Sequence, residues 1–212
     1  MGRRVKKDSE YDQAYQKALY FIDKKDYEEA LLYLEIAIKT DILSLKGHVY
    51  FQIGWCNGEL GNHIKAIEAY KQVIRIDPDH AIAYINLGSA YNGLGLYKDA
   101  IEACKQVINI DPNFAVAYFS LGVVYKQLGF DKDAIEAYKQ AIRIDLDYVQ
   151  AHFLLGLTYL IKIEKILTDC GTEYTTWHEE AIPNHESSED LQQTWDKAHH
   201  YQGKASLSPM VT

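Results

Sequence analysis

Several groups of side chains in this sequence are of the types that catalysis or ligand binding requires. Gly93 and Gly95 resemble the start of a phosphate-binding loop, but such a loop follows a β-strand and no strand pattern precedes these glycines. Asp77, Asp111 and Asp145 recur at one place in a repeated motif. They are therefore predicted to lie at helix ends, where caps are needed, rather than to act as paired catalytic acids.

The remaining groups are charged or potentially metal-binding. Glutamates precede lysines by three residues in successive repeats, as Glu68 and Lys71, Glu102 and Lys105, and Glu136 and Lys139. That spacing predicts ion pairs on a helix surface. Near the C-terminus lie Cys170, His178, Glu179, Glu180, His185, His199 and His200, and no pair of them has the ligand spacing of a zinc site. We therefore expect no catalytic residues, no cofactor and no metal, and hence no enzyme.

Composition and charge argue against two classes of function. The chain has 212 residues and a formal net charge of −8, whereas a nucleic-acid-binding surface needs an excess of basic residues. The uncharged run at residues 148–161 is too short to cross a bilayer. Three widely spaced cysteines are typical of free thiols in a reducing compartment. We expect a cytoplasmic protein with no nucleic-acid partner and no membrane insertion.

An internal repeat supplies the elements that position these side chains. Gly54, Gly88, Gly122 and Gly156 follow one another at 34-residue intervals. A fixed period of that length indicates stacked helix pairs, each of which buries its apolar face against its neighbours.

Each unit contains two apolar stripes with helical spacing. Tyr84, Leu87 and Tyr91 lie at i, i+3 and i+7 and predict a first helix, which Gly95 interrupts. A second stripe consists of Tyr97, Ala100, Ile101, Cys104, Val107 and Ile108. It ends at Pro112, because proline cannot continue the helical hydrogen bonds.

These residues resemble the tetratricopeptide repeat. The matching residues of one unit are Tyr84, Leu87, Gly88, Tyr91, Ala100 and Pro112, with Cys104 where an aromatic residue is usual. A neighbouring unit departs from the pattern at Asn57, where an aromatic is expected, and another at Leu146, which replaces the proline. The resemblance covers roughly residues 11–162. It implies an all-α fold, a right-handed superhelical array of antiparallel helix pairs.

The same pattern predicts the domain organisation. We expect a basic N-terminal tail at 1–10 and a helical array at 11–170, with units near 11–46, 47–80, 81–114 and 115–148 and a closing helix at 149–169. An acidic, largely flexible tail at 171–212 follows, with a short helix at 187–202 that carries Leu191, Trp195 and Ala198 on one face.

The first helix of the opening unit has two alternative registers. Its packing face consists either of Ala14, Ala18 and Phe21 or of Tyr15, Leu19 and Ile22.

In arrays that resemble this one, the first helices line a concave groove that holds a peptide. The corresponding residues here are Phe51, Trp55, Ile85, Ser89, Asn92, Phe119, Val123, Lys126, Phe153 and Leu157. Ile85 and Val123 are open to the alternative of core packing, and so is Trp55. The family's chaperone-binding members hold a C-terminal carboxylate with Lys and Asn at these positions. Phe51, Ile85 and Phe119 take the places of the first contacts, so that clamp is not expected.

The sequence therefore predicts a non-catalytic adaptor that binds a protein or peptide with bulky apolar anchors. Two alternatives stay open. The protein could be a self-associating scaffold whose groove accepts another copy's terminus, or an accessory platform of an enzymatic complex. The C-terminal tail is a further candidate occupant, since intramolecular docking would place Leu191 and Trp195 in the groove of their own chain.

Overall fold

The structure is a computed structural model that describes residues 2–169, with side chains described over residues 10–162. This part of the chain is all-α, as predicted. Its helices are α1 Gly2–Asp23, α2 Tyr27–Ala37, α3 Leu43–Glu59, α4 His63–Ile76, α5 Ala81–Gly93, α6 Tyr97–Ile110, α7 Ala115–Gln127, α8 Asp131–Ile144 and α9 Val149–Asp169.

Consecutive helices form antiparallel pairs joined by tight turns. The pairs are α1 with α2, α3 with α4, α5 with α6, and α7 with α8. Each turn contains one residue with positive φ: Lys25 (59°), Gly61 (73°), Gly95 (71°) or Gly129 (76°). Glycine adopts this left-handed conformation without steric cost. Gly95 is therefore a turn glycine of the repeat, as its position in the sequence suggests.

The repeated glycines of the first helices are contact points within the pairs. A Cβ atom on Gly54 would lie 2.6 Å from the Tyr70 ring, and one on Gly122 would lie 2.6 Å from the Tyr138 ring. Gly88 faces the smaller Cys104, whose Sγ would lie 3.6 Å from such a Cβ. The absence of a side chain at these glycines allows the second helix to place a bulky residue directly against the first.

The described residues belong to two compact units, Met1–Pro112 and Asn113–Thr212. Unit 1 contains α1 to α6, and unit 2 contains α7 to α9. In unit 1, one core cluster lies between α1, α2 and α3, and another lies between α4 and α5. In unit 2, Ala134, Ile135 and Tyr138 of α8 pack with Leu155 of α9. Each helix pair thus buries apolar surface against the helix that follows it in its unit.

The structure decides the register of α1. Ala14 is 6% exposed and Ala18 is fully buried, and the Phe21 ring stacks on Tyr33 with centroids 5.4 Å apart. Tyr15, Phe21 and Ile22 are all partly buried, so the two buried alanines distinguish the registers. The packing face therefore follows Ala14, Ala18 and Phe21.

The predicted division into tails and units stays a prediction. Helix α1 begins at Gly2 and α9 runs from Val149 to Asp169. The predictions for 171–212, including the helix at 187–202 and the tail histidines, lie outside the described residues. Among the helices that the structure describes, none combines the length and apolar character needed to span a membrane.

Candidate functional site

A cleft of about 230 Å³ opens beside the first helices of unit 1. It is lined by Trp55, Gly58, Glu59, His63, Tyr70, Asn86, Ser89 and Ala90. Trp55 is 40% exposed, although an indole gains much free energy from burial. Gly58, about one turn along α3, has no atom within 4 Å of the place where a Cβ would lie. This open space leaves one face of the cleft unfilled.

Two asparagine side chains of α5 contain buried polar atoms without hydrogen-bond partners. These atoms are Nδ2 of Asn86, which lines the cleft, and Oδ1 of Asn92. Leaving a buried donor or acceptor unpaired costs about 1–3 kcal/mol. The Asn86 amide lies against the Tyr70 hydroxyl, which is a partner outside ideal hydrogen-bond geometry. A ligand with a better-placed acceptor, such as a peptide carbonyl, would therefore stabilise this amide.

The other predicted groove residues of unit 1 differ in exposure. Ser89 is exposed and lines the cleft with Trp55. Phe51 is half-buried, with its ring stacked on His80 at 5.4 Å and edge-on to Tyr70 at 5.9 Å. Ile85 is 8% exposed, so it contributes to the core. Trp55 and Ser89 are thus the predicted residues that the fold brings together in the cleft.

In unit 2, the predicted groove residues of α7 are engaged by other side chains of the chain. Phe119 lies between Tyr138 and Tyr148, with ring centroids 6.0 and 5.0 Å away. Val123 is half-buried against the α8–α9 core. Lys126 Nζ lies 2.8 Å from an Asp131 carboxylate oxygen. The ammonium group that α7 would offer to a ligand is therefore already paired within the chain.

The predicted groove residues of α9 are exposed. Phe153 is 45% and Leu157 39% exposed. Leu160, at 49% exposed, continues the same helical stripe one turn further. This apolar surface of unit 2 is not part of the unit 1 cleft.

Asn86, Glu59 and His63 line the cleft but are absent from the predicted set, which followed only the residues after each aromatic and each glycine. For Asn86 a signal was present. The first three turns of α5, Ala81–Tyr91, are apolar except for Asn86 and Ser89. An amide within such an apolar stretch indicates a polar contact.

A second cleft, of about 560 Å³, lies among α2, α3 and α4. Asn57 lines it where the repeat pattern expects an aromatic ring, together with Leu31, Tyr50 and Ile53. The Asn57 Nδ2 atom donates to the Ile53 carbonyl at 2.8 Å, and Oδ1 is buried without a partner. Asparagine is smaller than tyrosine, so a ring at this position would occupy part of the cleft.

Of the glutamates and lysines predicted to form ion pairs, Glu68, Lys71, Glu102, Lys105 and Glu136 are exposed on the second helices. Glu102 and Glu136 are exposed and accept hydrogen bonds from Gln106 and Gln140, at 2.8 and 3.1 Å. The Lys71 ammonium group lies 5.6 Å from the centroid of the Tyr91 ring. Within the described part of the chain, no three His, Cys, Asp or Glu side chains are grouped so as to hold a metal ion.

Comparison with protein families identifies the repeat. The model described as "Tetratricopeptide repeat" matches residues 81–114, and the model described as "TPR repeat" matches residues 59–95 and 131–161. No curated protein sequence matches the chain.

Solved structures with the same fold span most of the chain. A crystal structure of MamA is 25% identical, covers 88% of this chain and 96% of its own, and has a TM-score of 0.68. YrrB, described as a TPR protein with an unusual peptide-binding site, is 16% identical, covers 90% of both chains and has a TM-score of 0.60. The first TPR of Spaghetti (RPAP3), bound to the HSP90 peptide SRMEEVD, is 22% identical over 58% of this chain and 94% of its own, with a TM-score of 0.51.

Proposed function

Because the chain belongs to the tetratricopeptide-repeat proteins, we propose that it is an adaptor that binds a peptide segment of a protein partner in the unit 1 cleft. The bound segment, extended or helical, places a bulky apolar side chain against Trp55. The proposal includes no catalytic step and no cofactor.

The observation that carries this proposal is the exposure of Trp55 inside a concave site. An indole that is 40% exposed beside Gly58 presents a large, rigid apolar surface. Tryptophan is among the residues that contribute most to binding when a partner covers them. The cleft combines the apolar surfaces of Trp55, Tyr70 and Ala90 with the polar side chains of Glu59, His63, Asn86 and Ser89.

The unpaired Asn86 amide supports a peptide as the ligand. Asn86 lines the same cleft as Trp55 and Ser89, and its Nδ2 atom is buried without a hydrogen-bond partner. A peptide presents a carbonyl oxygen at every residue, so a backbone acceptor can pair with this donor whatever the side-chain sequence. Trp55 would then select the anchor residue, while Asn86 would orient the backbone.

The charges of the cleft favour a partner segment without a run of acidic residues. Glu59 is the carboxylate among the lining residues, and no lysine or arginine lines the cleft. RPAP3 binds the peptide SRMEEVD, whose C-terminal part is acidic. The residues at the cleft of this chain do not offer the cations such a peptide needs, so the proposed partner is anchored by apolar contacts instead.

Expected affinities follow from the number of anchors. Burying one aromatic or large aliphatic side chain contributes roughly 1.5–3 kcal/mol. Two or three such anchors, less the free energy lost on association, correspond to a dissociation constant of roughly micromolar.

The proposal is tested by selecting peptides from a random display library on the full-length protein and measuring their affinity for variants. Trp55→Ala should weaken binding by about tenfold or more, since 1.4 kcal/mol corresponds to a factor of ten. Ile64→Ala removes an apolar side chain that is 65% exposed on α4 and does not line the cleft, so it is the matched control. Equal effects of both substitutions, in folded proteins, would refute the assignment of the cleft.

The self-associating alternative gives a different result in solution. The molar mass of a self-associating scaffold increases with protein concentration, because each copy accepts the terminus of another. The molar mass of the proposed adaptor does not change with concentration. Light scattering across a dilution series separates the two.

We propose the cytoplasm as the compartment, because the free thiols Cys56 and Cys104 are typical of a reducing environment.

A further inference from the structure

Helix α9 is a first helix of the repeat. Gly156 follows Gly122 at the 34-residue interval, and Ala151, Leu155 and Thr158 are buried as Ala117, Leu121 and Val124 are in α7. In α3, α5 and α7, the glycine-bearing face packs against the second helix of the same pair. Helix α9 is the last helix that the structure describes, so its pair has no described second helix.

The surface exposed on α9 is the one that a second helix covers in α7. Equivalent positions in the two helices differ in burial. Phe119 and Val123 are half-buried and Gly122 is buried, whereas Phe153 and Leu157 are exposed and Gly156 is half-buried. Lys126 contacts Asp131, the first residue of α8, and its counterpart Leu160 is 49% exposed. We call Phe153, Gly156, Leu157 and Leu160 the open stripe of α9.

The sequence after α9 contains a segment with the pattern of a second helix. Each described second helix from α4 onward has three buried residues at fixed spacing. The residue at i is small, the residue at i+4 is larger and faces the glycine of the first helix, and the residue at i+7 is small or of medium size. These sets are Ala66, Tyr70 and Val73; Ala100, Cys104 and Val107; and Ala134, Tyr138 and Ala141. Leu191, Trp195 and Ala198 have the same spacing. The leucine is larger than the alanine of the other sets, and Gly156 itself places no side chain against the indole.

The linker is long enough for this segment to reach α9. Residues 170–186 separate the end of α9 from Ser187. At about 3.3 Å per residue they can extend to roughly 56 Å, and α9 at 1.5 Å per residue is roughly 31 Å long. An antiparallel helix of residues 187–202, roughly 24 Å long, can therefore begin beside the C-terminal part of α9 and run back past Gly156.

We propose that residues 187–202 form the second helix of a fifth repeat and cover the open stripe of α9, with Trp195 against Gly156. The segment is then a structural part of unit 2 and not a ligand of the unit 1 cleft. A second copy of the chain and a separate partner protein are the other candidate occupants of the stripe, and each gives a different experimental result.

The test uses the full-length chain with Trp195 as its single tryptophan, in a Trp55→Phe/Trp177→Phe background. Trp195 emission should be blue-shifted, and acrylamide should quench it at least threefold less than in the urea-unfolded protein. Adding Leu157→Asp to the stripe should abolish this protection. Ile161→Asp is the matched control, because Ile161 is 40% exposed on the same helix but corresponds to Gln127, which stays exposed beside α8.

A cysteine pair identifies the occupant. In a Cys170→Ser background, Gly156→Cys/Trp195→Cys should form an intramolecular disulfide under mild oxidation, and Gln150→Cys/Trp195→Cys should not. A disulfide-linked dimer, or protection of Trp195 that disappears on dilution, would assign the stripe to a second copy and overturn the proposal. Three other results would also overturn the proposal. They are a Trp195 that acrylamide quenches as fully as in the unfolded protein, no disulfide in either cysteine pair, and equal effects of Leu157→Asp and Ile161→Asp.

Discussion

At the scale of single residues, the repeated glycines are not equivalent. Gly54 and Gly122 lie against tyrosine rings, whereas Gly88 lies against Cys104. A tyrosine on the second helix therefore requires glycine on the first, and a cysteine leaves more space. The same sequence position thus tolerates different side chains in different repeats.

Substituting two of these glycines by alanine should change stability in different ways. In Gly122→Ala the new Cβ would lie 2.6 Å from the Tyr138 ring, which is 1% exposed and has no room to move. We expect a loss of about 1–3 kcal/mol. In Gly88→Ala the nearest atom, the Ala100 carbonyl oxygen, is 3.4 Å away, and the helix gains up to about 1 kcal/mol in propensity.

Urea unfolding followed by circular dichroism measures both changes. A Tyr138→Cys background copies the Gly88–Cys104 contact. Adding Gly122→Ala to that background should destabilise the protein less than adding it to the parent protein does. Equal midpoints for Gly88→Ala and Gly122→Ala would contradict the contact assignment.

The buried thiols of unit 1 should be unreactive in the folded protein. Burial raises the pKa of Cys56 to about 11 and that of Cys104 to about 12, and only the thiolate reacts with disulfide reagents. In a Cys170→Ser variant, titration with Ellman's reagent at pH 8 should find no fast-reacting thiol in the native protein and two after unfolding. Rapid reaction in the native state, or fewer than two thiols in the unfolded unreduced chain, would contradict this.

The same thiols make the free energy of unfolding depend on pH in the alkaline range. The ordinary thiol pKa is 9.0, and the folded-state values are higher, so the folded chain binds more protons above pH 9 than the unfolded chain does. The free energy of unfolding is therefore highest below pH 9 and falls as the pH rises through 11 to 12. The thermal midpoint of Cys104→Ala should fall less between pH 9 and 11 than that of the parent protein.

At the scale of helices, one departure from the repeat pattern leaves a defect in the packing. Tyr91 and Tyr125 occupy the repeat position that Asn57 holds in α3, and a cleft of about 560 Å³ opens beside Asn57. Asn57→Tyr should fill part of this cleft and remove a buried unpaired oxygen. We expect the thermal midpoint to rise by several degrees. A gain of about 1 kcal/mol in the free energy of unfolding produces a shift of this order in a domain of this size.

Asn57→Ala is the control for that substitution. It removes the unpaired oxygen without filling the cleft. If Asn57→Ala stabilises the protein as much as Asn57→Tyr does, the polar atom rather than the volume is the cause. A lower midpoint for Asn57→Tyr would mean that the neighbouring helices leave no room for the ring.

At the scale of the whole molecule, the proposed binding site and the open stripe belong to different units. If α9 is covered by residues 187–202, its exposed apolar residues do not contribute to partner binding. Phe153→Ala should therefore leave the affinity for selected peptides unchanged within about twofold, while Trp55→Ala lowers it about tenfold or more. A comparable loss from Phe153→Ala would assign binding to unit 2 as well.

The sequence by itself determined the repeat and its helix pairs. The 34-residue period, the small residues at Gly88 and Ala100, and the turn glycine Gly95 act through local geometry and recur in each unit. Helical periodicity and the need for positive φ are properties of a few neighbouring residues, so they can be read without knowing the fold. The turn at Gly95, where φ is 71°, was predictable for this reason.

Only the tertiary structure decided which groove residues are accessible. Trp55 and Ile85 both occupy predicted groove positions, yet one is 40% and the other 8% exposed. The α1 register and the unpaired Asn86 amide were likewise undetermined. Exposure and hydrogen bonding depend on side chains that other helices bring close, and those helices are distant in sequence. The repeat therefore predicts the scaffold, whereas the irregular residues that several helices surround create the candidate site.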